Sequence, residues 1–411
     1  MSTAGVRGAP GGLFIRDRFT WLAYLLLALF TYLQAILGPV MPFLRAELNL
    51  SYTLGGLHLS VFAAGMVTAG ITGAYVLRAG RRGAVFWGGA GGMAIGAYLL
   101  AAGSHVLVTL GASLLMGLAG ALMMVTLQAA LSDHHGEARA IAFAEANVAG
   151  GVSAGLSPLL VGGFQQAGIS WRLALYVAVG ALAILIFCSA GTHVPVERRA
   201  PDFVHEVRGA LPPAFWGYWV VILFSVAIEF CMIGWGAEFL NSAVGLERST
   251  ASTSMTLFFV AMVLGRLAGS RLARRTEARR LLVVAFGIVA GGFPLFWLSA
   301  SPLAALTGLA VTGLGIGNLF PLTLAVAVGV AQGHTDVASA RVTLGAGLAI
   351  LTAPLALGRF ADEIGIADAY GVTLLLIVGG LAMVLLTNRL ETRLTPGARS
   401  VGDGRVRRPR P

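Results

Sequence analysis

The sequence predicts an all-α integral membrane protein with twelve transmembrane helices in two pseudo-symmetric six-helix bundles. Of the 411 residues, 57% are hydrophobic and only 11% are charged, which is too little polar surface to cover a soluble globule of this size. About a dozen apolar runs have the length that crosses a bilayer, roughly 20 residues each. The third observation is an internal repeat, because one constant offset aligns the two halves of the chain.

The predicted spans are separated by short polar connections. The first apolar run is too long for the core of a secretory signal, so we expect an uncleaved first span. The twelve spans are residues 20–42, 53–76, 84–103, 107–131, 139–163, 171–190, 215–239, 251–273, 281–299, 303–328, 339–358 and 370–388.

Adding 196 to a residue number aligns the second half of the chain with the first. The offset pairs Phe62 with Phe258 and Pro158 with Pro354. It also pairs Gly73 with Gly269, Gly117 with Gly313 and Gly162 with Gly358. One offset that holds over several segments indicates a duplication. The predicted parts are an N-terminal bundle (1–190), a cytoplasmic linker (191–213), a C-terminal bundle (214–390) and a disordered cytoplasmic tail (391–411).

The arginines divide unequally between the two sides of the membrane. All 28 basic residues are arginine, and all but four lie on the same side as the termini. The four exceptions are Arg45, Arg172, Arg248 and Arg359. Because basic loops face the cytoplasm, we predict an inner or plasma membrane protein with both termini cytoplasmic. The net charge of +10 follows this topology, so no nucleic-acid partner is expected.

Motifs of other functional classes are missing from the sequence. Cys188 and Cys231 lie inside apolar runs and form neither a disulfide framework nor a zinc pattern. There is no phosphate-binding loop with its lysine, no metal-ligand cluster and no serine elbow. The sequence therefore predicts no enzyme, no primary ATP-driven pump, no metal and no cofactor other than a proton gradient.

An arginine-rich turn lies between the second and third spans. It reads Gly-Ala-Tyr-Val-Leu-Arg-Ala-Gly-Arg-Arg over residues 73–82. In a chain of twelve spans and two parallel repeats, this turn resembles the signature of the major facilitator superfamily, roughly Gly-x-x-x-Asp-x-x-Gly-Arg-Arg/Lys. Leu77 stands where that family has an aspartate that helps to hold the two halves together on the cytoplasmic side. The resemblance covers about residues 20–390 and implies a secondary transporter with a weaker or differently built contact.

The turn at residues 73–82 and its repeat equivalent at residues 269–275 are predicted to form a cytoplasmic gate. Glycine allows helices to approach closely, and arginine can bind carbonyl groups at helix ends or anionic lipid headgroups. The alternative is that these arginines only fix the orientation of the chain in the membrane. The predicted gate residues are Gly73, Arg78, Gly80, Arg81, Arg82, Arg266, Gly269, Arg274 and Arg275.

Two acidic residues lie well inside predicted spans. A charge in hydrocarbon costs about 2.5 to 3.5 kcal/mol on insertion scales, so such an acid is a functional hypothesis by default. Glu229, just past the middle of span seven, has no obvious arginine partner and is our first candidate for proton coupling. Alternatively, it is a protonated acid that only bonds a neighbouring helix. Glu145, nearer the cytoplasmic end of span five, is a second candidate, or it pairs with a cytoplasmic arginine in a gate.

A substrate pocket between the halves needs a few polar groups among apolar walls. Five residues at compatible depths are predicted to bind the substrate. They are Gln34, Asn147, Glu229, Trp235 and Asn318. A lone amide in a membrane helix can equally serve as a hydrogen bond between helices.

These features predict a secondary active transporter that moves a small organic solute by alternating access between the halves, with proton coupling through Glu229. Few buried charges argue against a highly charged solute. Residues 151–163 resemble a stretched form of a drug/proton antiporter pattern, so a drug-type efflux antiporter is one alternative. A lipid flippase and a non-transporting receptor are others. The expected partners are the substrate and the lipid bilayer, and we expect a monomer.

Overall fold

The apolar runs of the sequence form long helices, because an unpaired backbone N–H or C=O group in hydrocarbon is costly and an α-helix pairs its own. In the computed structural model, the described residues are 14–78, 82–189, 191–195, 211–331 and 334–394. Within these ranges the chain contains helices and connections but no β-strand. The membrane environment predicted from composition therefore agrees with the secondary structure.

Fourteen α-helices follow one another along the described chain. They are α1 (Arg18–Ala35), α2 (Leu37–Leu48), α3 (Tyr52–Arg78), α4 (Arg82–Ala102), α5 (Val106–His135), α6 (Arg139–Gln166), α7 (Leu173–Ser189), α8 (Pro213–Ser242), α9 (Arg248–Leu272), α10 (Ala278–Trp297), α11 (Pro302–Val330), α12 (Thr335–Ile364), α13 (Ile366–Ala369) and α14 (Gly371–Leu394).

Twelve crossings result when α1 is taken with α2 and α13 with α14. By length and hydropathy alone, nine of the described segments qualify as membrane spans, or ten with the bent pair of α1 and α2. One of the nine, Val106–Gln166, is 61 residues long and contains both α5 and α6. The remaining crossing is α7, an apolar helix of 17 residues.

The first predicted span, residues 20–42, consists of two helices rather than one. The axes of α1 and α2 differ by 42° across the break at Ile36. Pro39 has no N–H group, so it cannot complete the helical hydrogen bond to the carbonyl oxygen of Ala35. The missing bond explains why the helix bends at this point.

The two halves repeat the same internal packing. Gly117 on α5 lies so close to the backbone carbonyl of Phe62 on α3 that a Cβ atom would not fit. In the second half, a Cβ atom on Gly313 of α11 would lie 2.7 Å from the carbonyl oxygen of Phe258 on α9. Both partners of one contact are related to those of the other by the sequence offset. The predicted fold class, with two pseudo-symmetric bundles, is confirmed.

The halves meet through two repeat-related helix pairs, α6 with α9 and α3 with α12. We call the side at which α1 begins the basic face, because most arginines lie there, and the other side the opposite face. Gly162 on α6 lies against the backbone of Ser249 on α9. Its repeat equivalent, Gly358 on α12, lies against the backbone of Tyr52 on α3. Both contacts are near the opposite face.

Polar contacts between the halves, like the glycine contacts, lie toward the opposite face. Ser252 on α9 donates its hydroxyl to the carbonyl oxygen of Pro39 on α2 at 2.7 Å, and Ser60 on α3 donates to Leu351 on α12 at 2.6 Å. Among the described residues, every hydrogen bond and ion pair that joins the halves lies between the middle of the helices and the opposite face. The structure therefore has its halves joined at the opposite face.

The bounds of the predicted linker and tail stay predictions. Helix α7 ends at Ser189 and α8 begins at Pro213. Residues 196–210 and 395–411, which make up most of these two segments, lie outside the described residues.

Candidate substrate cavity and gate contacts

A cavity of about 180 Å³ lies between the two halves. Helices α1 and α6 of the first half and α8 and α9 of the second form its wall, and contacts that join the halves lie between it and the opposite face. Its lining residues are Thr31, Gln34, Ala35, Asn147, Gly150, Gly151, Ala154, Glu229, Phe230, Ile233, Phe259, Met262, Val263 and Arg266.

Among the described lining residues, one carboxylate and one guanidinium face each other. The Glu229 side chain, near the middle of α8, is 14% exposed. Nη2 of Arg266 on α9 lies 3.8 Å from Oε1 of Glu229, and its Nε donates to the carbonyl oxygen of Gly317 at 3.1 Å. A separation of 3.8 Å is an ion pair but too long for a hydrogen bond. Glu229 therefore has a charge partner but no hydrogen-bond partner in the described part of the chain.

The sequence-based interpretation that Glu229 has no arginine partner is wrong. Arg266, a predicted gate residue, reaches the cavity because a long side chain can carry its charge well away from its own backbone. A signal for this pair existed in the sequence. The two residues lie on consecutive antiparallel helices at depths that differ by about one turn, which an arginine side chain can span.

Two of the predicted substrate-binding amides also line the cavity. Nε2 of Gln34 on α1 lies 3.5 Å from Sδ of Met66, and Nδ2 of Asn147 on α6 donates to the carbonyl oxygen of Phe143 at 2.8 Å. Neither amide oxygen accepts a hydrogen bond from the residues that the structure describes. Each amide therefore retains hydrogen-bonding capacity for a solute.

The other two predicted residues lie away from the cavity wall. Trp235 is fully buried, and its Nε1 donates to the carbonyl oxygen of Pro354 at 2.8 Å. Asn318 on α11 donates to the carbonyl oxygen of Gly265 on α9 at 2.7 Å. In both cases the polar group joins two helices of the second half. For Asn318, this is the alternative that the sequence left open for a lone amide.

Glu145 also lies outside the cavity. Its carboxylate accepts two hydrogen bonds from Arg16, at 2.8 and 2.5 Å, and one from the hydroxyl of Tyr24 at 3.1 Å. Arg16 precedes α1, and the hydrogen bond and charge of Glu145 raise its pKa. The partner is thus a basic-face arginine, but the contact stays within the first half and joins no part of the second.

At the opposite face, an ion pair links the two halves. Arg45 at the end of α2 donates to the carboxylate of Glu238 on α8, and its guanidinium lies 3.5 Å from the centre of the Tyr52 ring. Beside it, Asp362 on α12 accepts hydrogen bonds from the backbone N–H groups of Tyr52 and Thr53 at 2.7 and 2.8 Å. These contacts were not predicted from the sequence, since they join residues far apart in the chain.

Comparison with protein families identifies the fold. A family model described as Major Facilitator Superfamily matches residues 20–239 and 219–409. The chain belongs to this superfamily. Membership confirms the resemblance found in the sequence, and it confirms that the chain is a transporter-type membrane protein rather than an enzyme.

Relatives and solved structures within the superfamily agree with this assignment. An uncharacterized MFS-type transporter of Yersinia pestis is 26% identical over 360 residues, covering 84% of this chain and 89% of that protein. A bacterial homolog of the human lysosomal transporter Spinster, in an inward-facing and occupied conformation, matches with a TM-score of 0.79 at 15% identity, over 92% of this chain and 98% of that chain. The nucleoside transporter NupG matches with a TM-score of 0.67 at 15% identity, over 91% and 98%. These structures share the fold.

In this member of the superfamily, the signature turn is anchored in an unexpected way. Arg82 donates to the carboxylate of Asp133 at the end of α5 and to the carbonyl oxygen of Pro195 at 2.8 Å. Asp133 thus supplies a carboxylate to a turn that carries Leu77 at the acidic position. Asp133 and Pro195 both precede α8, so these contacts do not join the turn to the helices of the second half.

The remaining predicted gate residues lie in or beside the two turns. Gly73 is buried against Val125 on α5, and Gly269 is packed against the side chain of Asn318 on α11, so both serve close helix packing inside one half. Arg274 and Arg275 follow α9 and are exposed. The predictions for Gly80, Arg81 and the side chain of Arg78 fall outside the described residues. The gate role of this set stays a prediction.

Proposed function

We propose that the chain is a secondary active transporter that moves a small organic solute by alternating access, coupled to protons through Glu229. One observation carries the proposal. Glu229 is a carboxylate near the middle of a membrane helix that faces a cavity between the two halves, with only a loosely placed partner in Arg266. A site of this kind can be exposed to each side of the membrane in turn when the halves rock against each other.

Protonation of Glu229 changes the balance of charge in the cavity. With the carboxylate ionised, its charge is offset by Arg266 at 3.8 Å. Binding a proton removes a charge that is expensive in a low-dielectric site, and it leaves the guanidinium without its counter-ion. The rearrangement of the halves then depends on the protonation state, which is the requirement for coupling.

The contacts between the halves support the alternating part of the proposal. Described contacts join the halves on the side of the opposite face, and the cavity lies on the basic side of them. We take the basic face to be cytoplasmic by the positive-inside rule, in an inner or plasma membrane. A solute would then exchange with the cytoplasmic side in this arrangement, and transport would require these contacts to break.

The polar groups of the cavity favour a solute over a lipid tail. Gln34, Asn147, Glu229 and Arg266 all line it. The glycine pattern of α6, which suggested a drug antiporter, lies partly against α9, because Cβ atoms on Gly151 and Gly155 would each contact that helix at 3.4 Å. Helix packing therefore explains part of that pattern without export.

The test is solute uptake into proteoliposomes across a panel of organic solutes, with and without an imposed pH gradient. We expect the unmodified chain to accumulate one or more solutes when the gradient is present. Glu229→Gln, which mimics the protonated acid, should lose gradient-driven accumulation but retain solute exchange at equal pH, because exchange needs no net proton movement. The matched control is Glu277→Gln, since Glu277 is an exposed carboxylate outside the cavity. Full accumulation by Glu229→Gln would overturn the proposal.

A further inference from the structure

We propose that the cavity binds an organic solute with a single negative charge, which pairs with Arg266 in place of Glu229. The inference rests on the proposed function and names the class of solute for the same cavity. It comes from the loose geometry of the Glu229–Arg266 pair and from the apolar wall beside it.

Most N–H groups of the Arg266 guanidinium have no hydrogen-bond acceptor among the described residues. A guanidinium carries five N–H groups. In Arg266, Nε donates to the carbonyl oxygen of Gly317, and Nη2 lies 3.8 Å from the Glu229 carboxylate without a hydrogen bond. No other described residue accepts a hydrogen bond from this side chain, which is 45% exposed. An incoming acceptor in the cavity would find N–H groups that are still without a hydrogen-bond partner among the described residues.

An anion is the acceptor that gains most at this place. Carboxylates bind a guanidinium through two parallel charge-assisted bonds of about 2.7 to 2.9 Å, roughly twice as strong as bonds between neutral groups. Glu229, held on the neighbouring helix at 3.8 Å, does not reach this geometry. A free carboxylate can orient itself and therefore competes well for Arg266.

The charge of the solute is limited to one. Arg266 is the sole cation among the described residues that line the cavity, and Glu229 contributes a negative charge beside it. A second negative charge on the solute would have no counter-ion in a site of low dielectric constant, where unpaired charges are costly. Once Glu229 has bound a proton, as in the proposed coupling, a monoanion paired with Arg266 leaves no such charge.

The remaining wall indicates the body of the solute. Ile233, Phe259 and Met262 present apolar side chains to the same cavity. Its volume of about 180 Å³ is comparable to the engineered cavities of about 150 Å³ that bind benzene. A monocarboxylate with an apolar body of benzoate size therefore fits both the charge and the space.

The experiment uses matched pairs of probes on the purified chain in detergent. Each carboxylate is compared with its neutral amide of the same shape, benzoate with benzamide and hexanoate with hexanamide. Isothermal titration calorimetry and the shift of the melting temperature report binding. We expect each carboxylate to bind at least tenfold more tightly than its amide, and the dianion phthalate to bind no more tightly than benzoate.

Four variants assign the binding to the pair of residues. Arg266→Gln should weaken carboxylate binding at least tenfold. Arg266→Lys keeps the positive charge but loses the planar guanidinium that can bind a carboxylate through two parallel bonds, so it should weaken binding less. Glu229→Gln should strengthen binding severalfold, because the competing carboxylate is gone. Arg271→Gln, an exposed arginine on the same helix, is the control and should change nothing. A purely structural role for Arg266 would not produce opposite effects at the two positions.

Two results would overturn the inference. One is a failure of any carboxylate to bind more tightly than its amide, and the other is retained carboxylate binding by Arg266→Gln. The uptake experiment separates this failure from failure of the proposed function. If a neutral solute is accumulated under a pH gradient equally by the unmodified chain and Arg266→Gln, the anion site is refuted and proton-coupled transport stands. If monoanions bind through Arg266 but no gradient drives their accumulation, coupling is refuted and the anion site stands.

Discussion

Two arginine–carboxylate pairs are built on helix α8, and they differ in almost every respect. Arg45 and Glu238 are hydrogen-bonded across the two halves at the opposite face, with side chains 14% and 6% exposed. Arg266 and Glu229 belong to the same half, face the cavity and stand 3.8 Å apart, with side chains 45% and 14% exposed. A buried and bonded pair between the halves favours one arrangement of the molecule. A loose pair beside a cavity can respond to a proton or a solute.

The pair at the opposite face is nevertheless breakable. Nε of Arg45 and Oε2 of Glu238 are buried without a hydrogen-bond partner among the described residues. The cost of burying these two unpaired atoms offsets much of the stabilisation that the ion pair provides. The contact can therefore stabilise the joined arrangement without preventing the opposite one, which a transporter must also visit.

The largest effect is expected from Glu238→Ala. Removing one partner leaves the Arg45 charge buried and unpaired, which costs about 3 to 5 kcal/mol in the joined arrangement. At about 1.4 kcal/mol per tenfold, the balance between arrangements should shift by more than a hundredfold. The measurement is the labelling rate of Met41→Cys by an impermeant maleimide added at the opposite face, since Met41 is fully buried on α2 one turn before Arg45. The exposed Cys188 is replaced by serine in this background.

The control for this prediction lies on the same face. Glu47 pairs with Arg172 at 2.5 Å and accepts a bond from Trp171 at 2.7 Å, all within the first half. Glu47→Ala should leave the labelling rate of the cysteine nearly unchanged. Equal rates in the two variants would mean that Arg45 and Glu238 do not hold the halves together.

A smaller effect is expected where the halves touch without charge. Gly162→Ala would push a methyl group into the backbone of Ser249, whereas Gly163→Ala, one residue further on, would meet nothing within 4 Å. Overpacking of this kind costs about 1 to 3 kcal/mol, so Gly162→Ala should raise the same labelling rate about fivefold or more. Gly163→Ala should match the unmodified chain. A reversed order would contradict the described contact between α6 and α9.

The smallest effect is expected from two asparagine substitutions, one at a contact between helices and one at the cavity wall. Asn318→Ala removes a hydrogen bond between α9 and α11, worth about 0.5 to 1.5 kcal/mol, and should lower the melting temperature with no change in solute affinity. Asn147→Ala, at the cavity wall, should weaken solute binding and leave the melting temperature unchanged. Calorimetric binding and melting curves of both variants decide this. Loss of affinity in Asn318→Ala alone would restore Asn318 as a substrate contact.

Hydropathy and the repeat were sufficient to predict the twelve crossings, because each span is a local property of about 20 residues. They also placed Gln34, Asn147 and Glu229 at similar depths, and these three do meet in one cavity. Depth does not specify which side of a helix faces the cavity. For that reason Trp235, at a suitable depth, is instead buried against Pro354.

Pairing between distant helices was the part that sequence reasoning could not supply. Arg45 meets Glu238, and Arg82 meets Asp133, only because of how the helices are arranged side by side. Hydropathy contains no information on lateral position or rotation. Leu77 did indicate that the usual acidic contact is missing from the signature turn, and the described contacts between the halves are indeed on the other side of the molecule.

The most direct test of the account is whether solute movement carries protons through Glu229. Proteoliposomes that contain a pH-sensitive dye, with no imposed gradient, are given the solute that the unmodified chain accumulates. We predict a change of internal pH that accompanies solute movement in the unmodified chain and in Glu277→Gln. In Glu229→Gln, solute should equilibrate without any change of internal pH. Proton movement of normal size in Glu229→Gln would contradict the central claim.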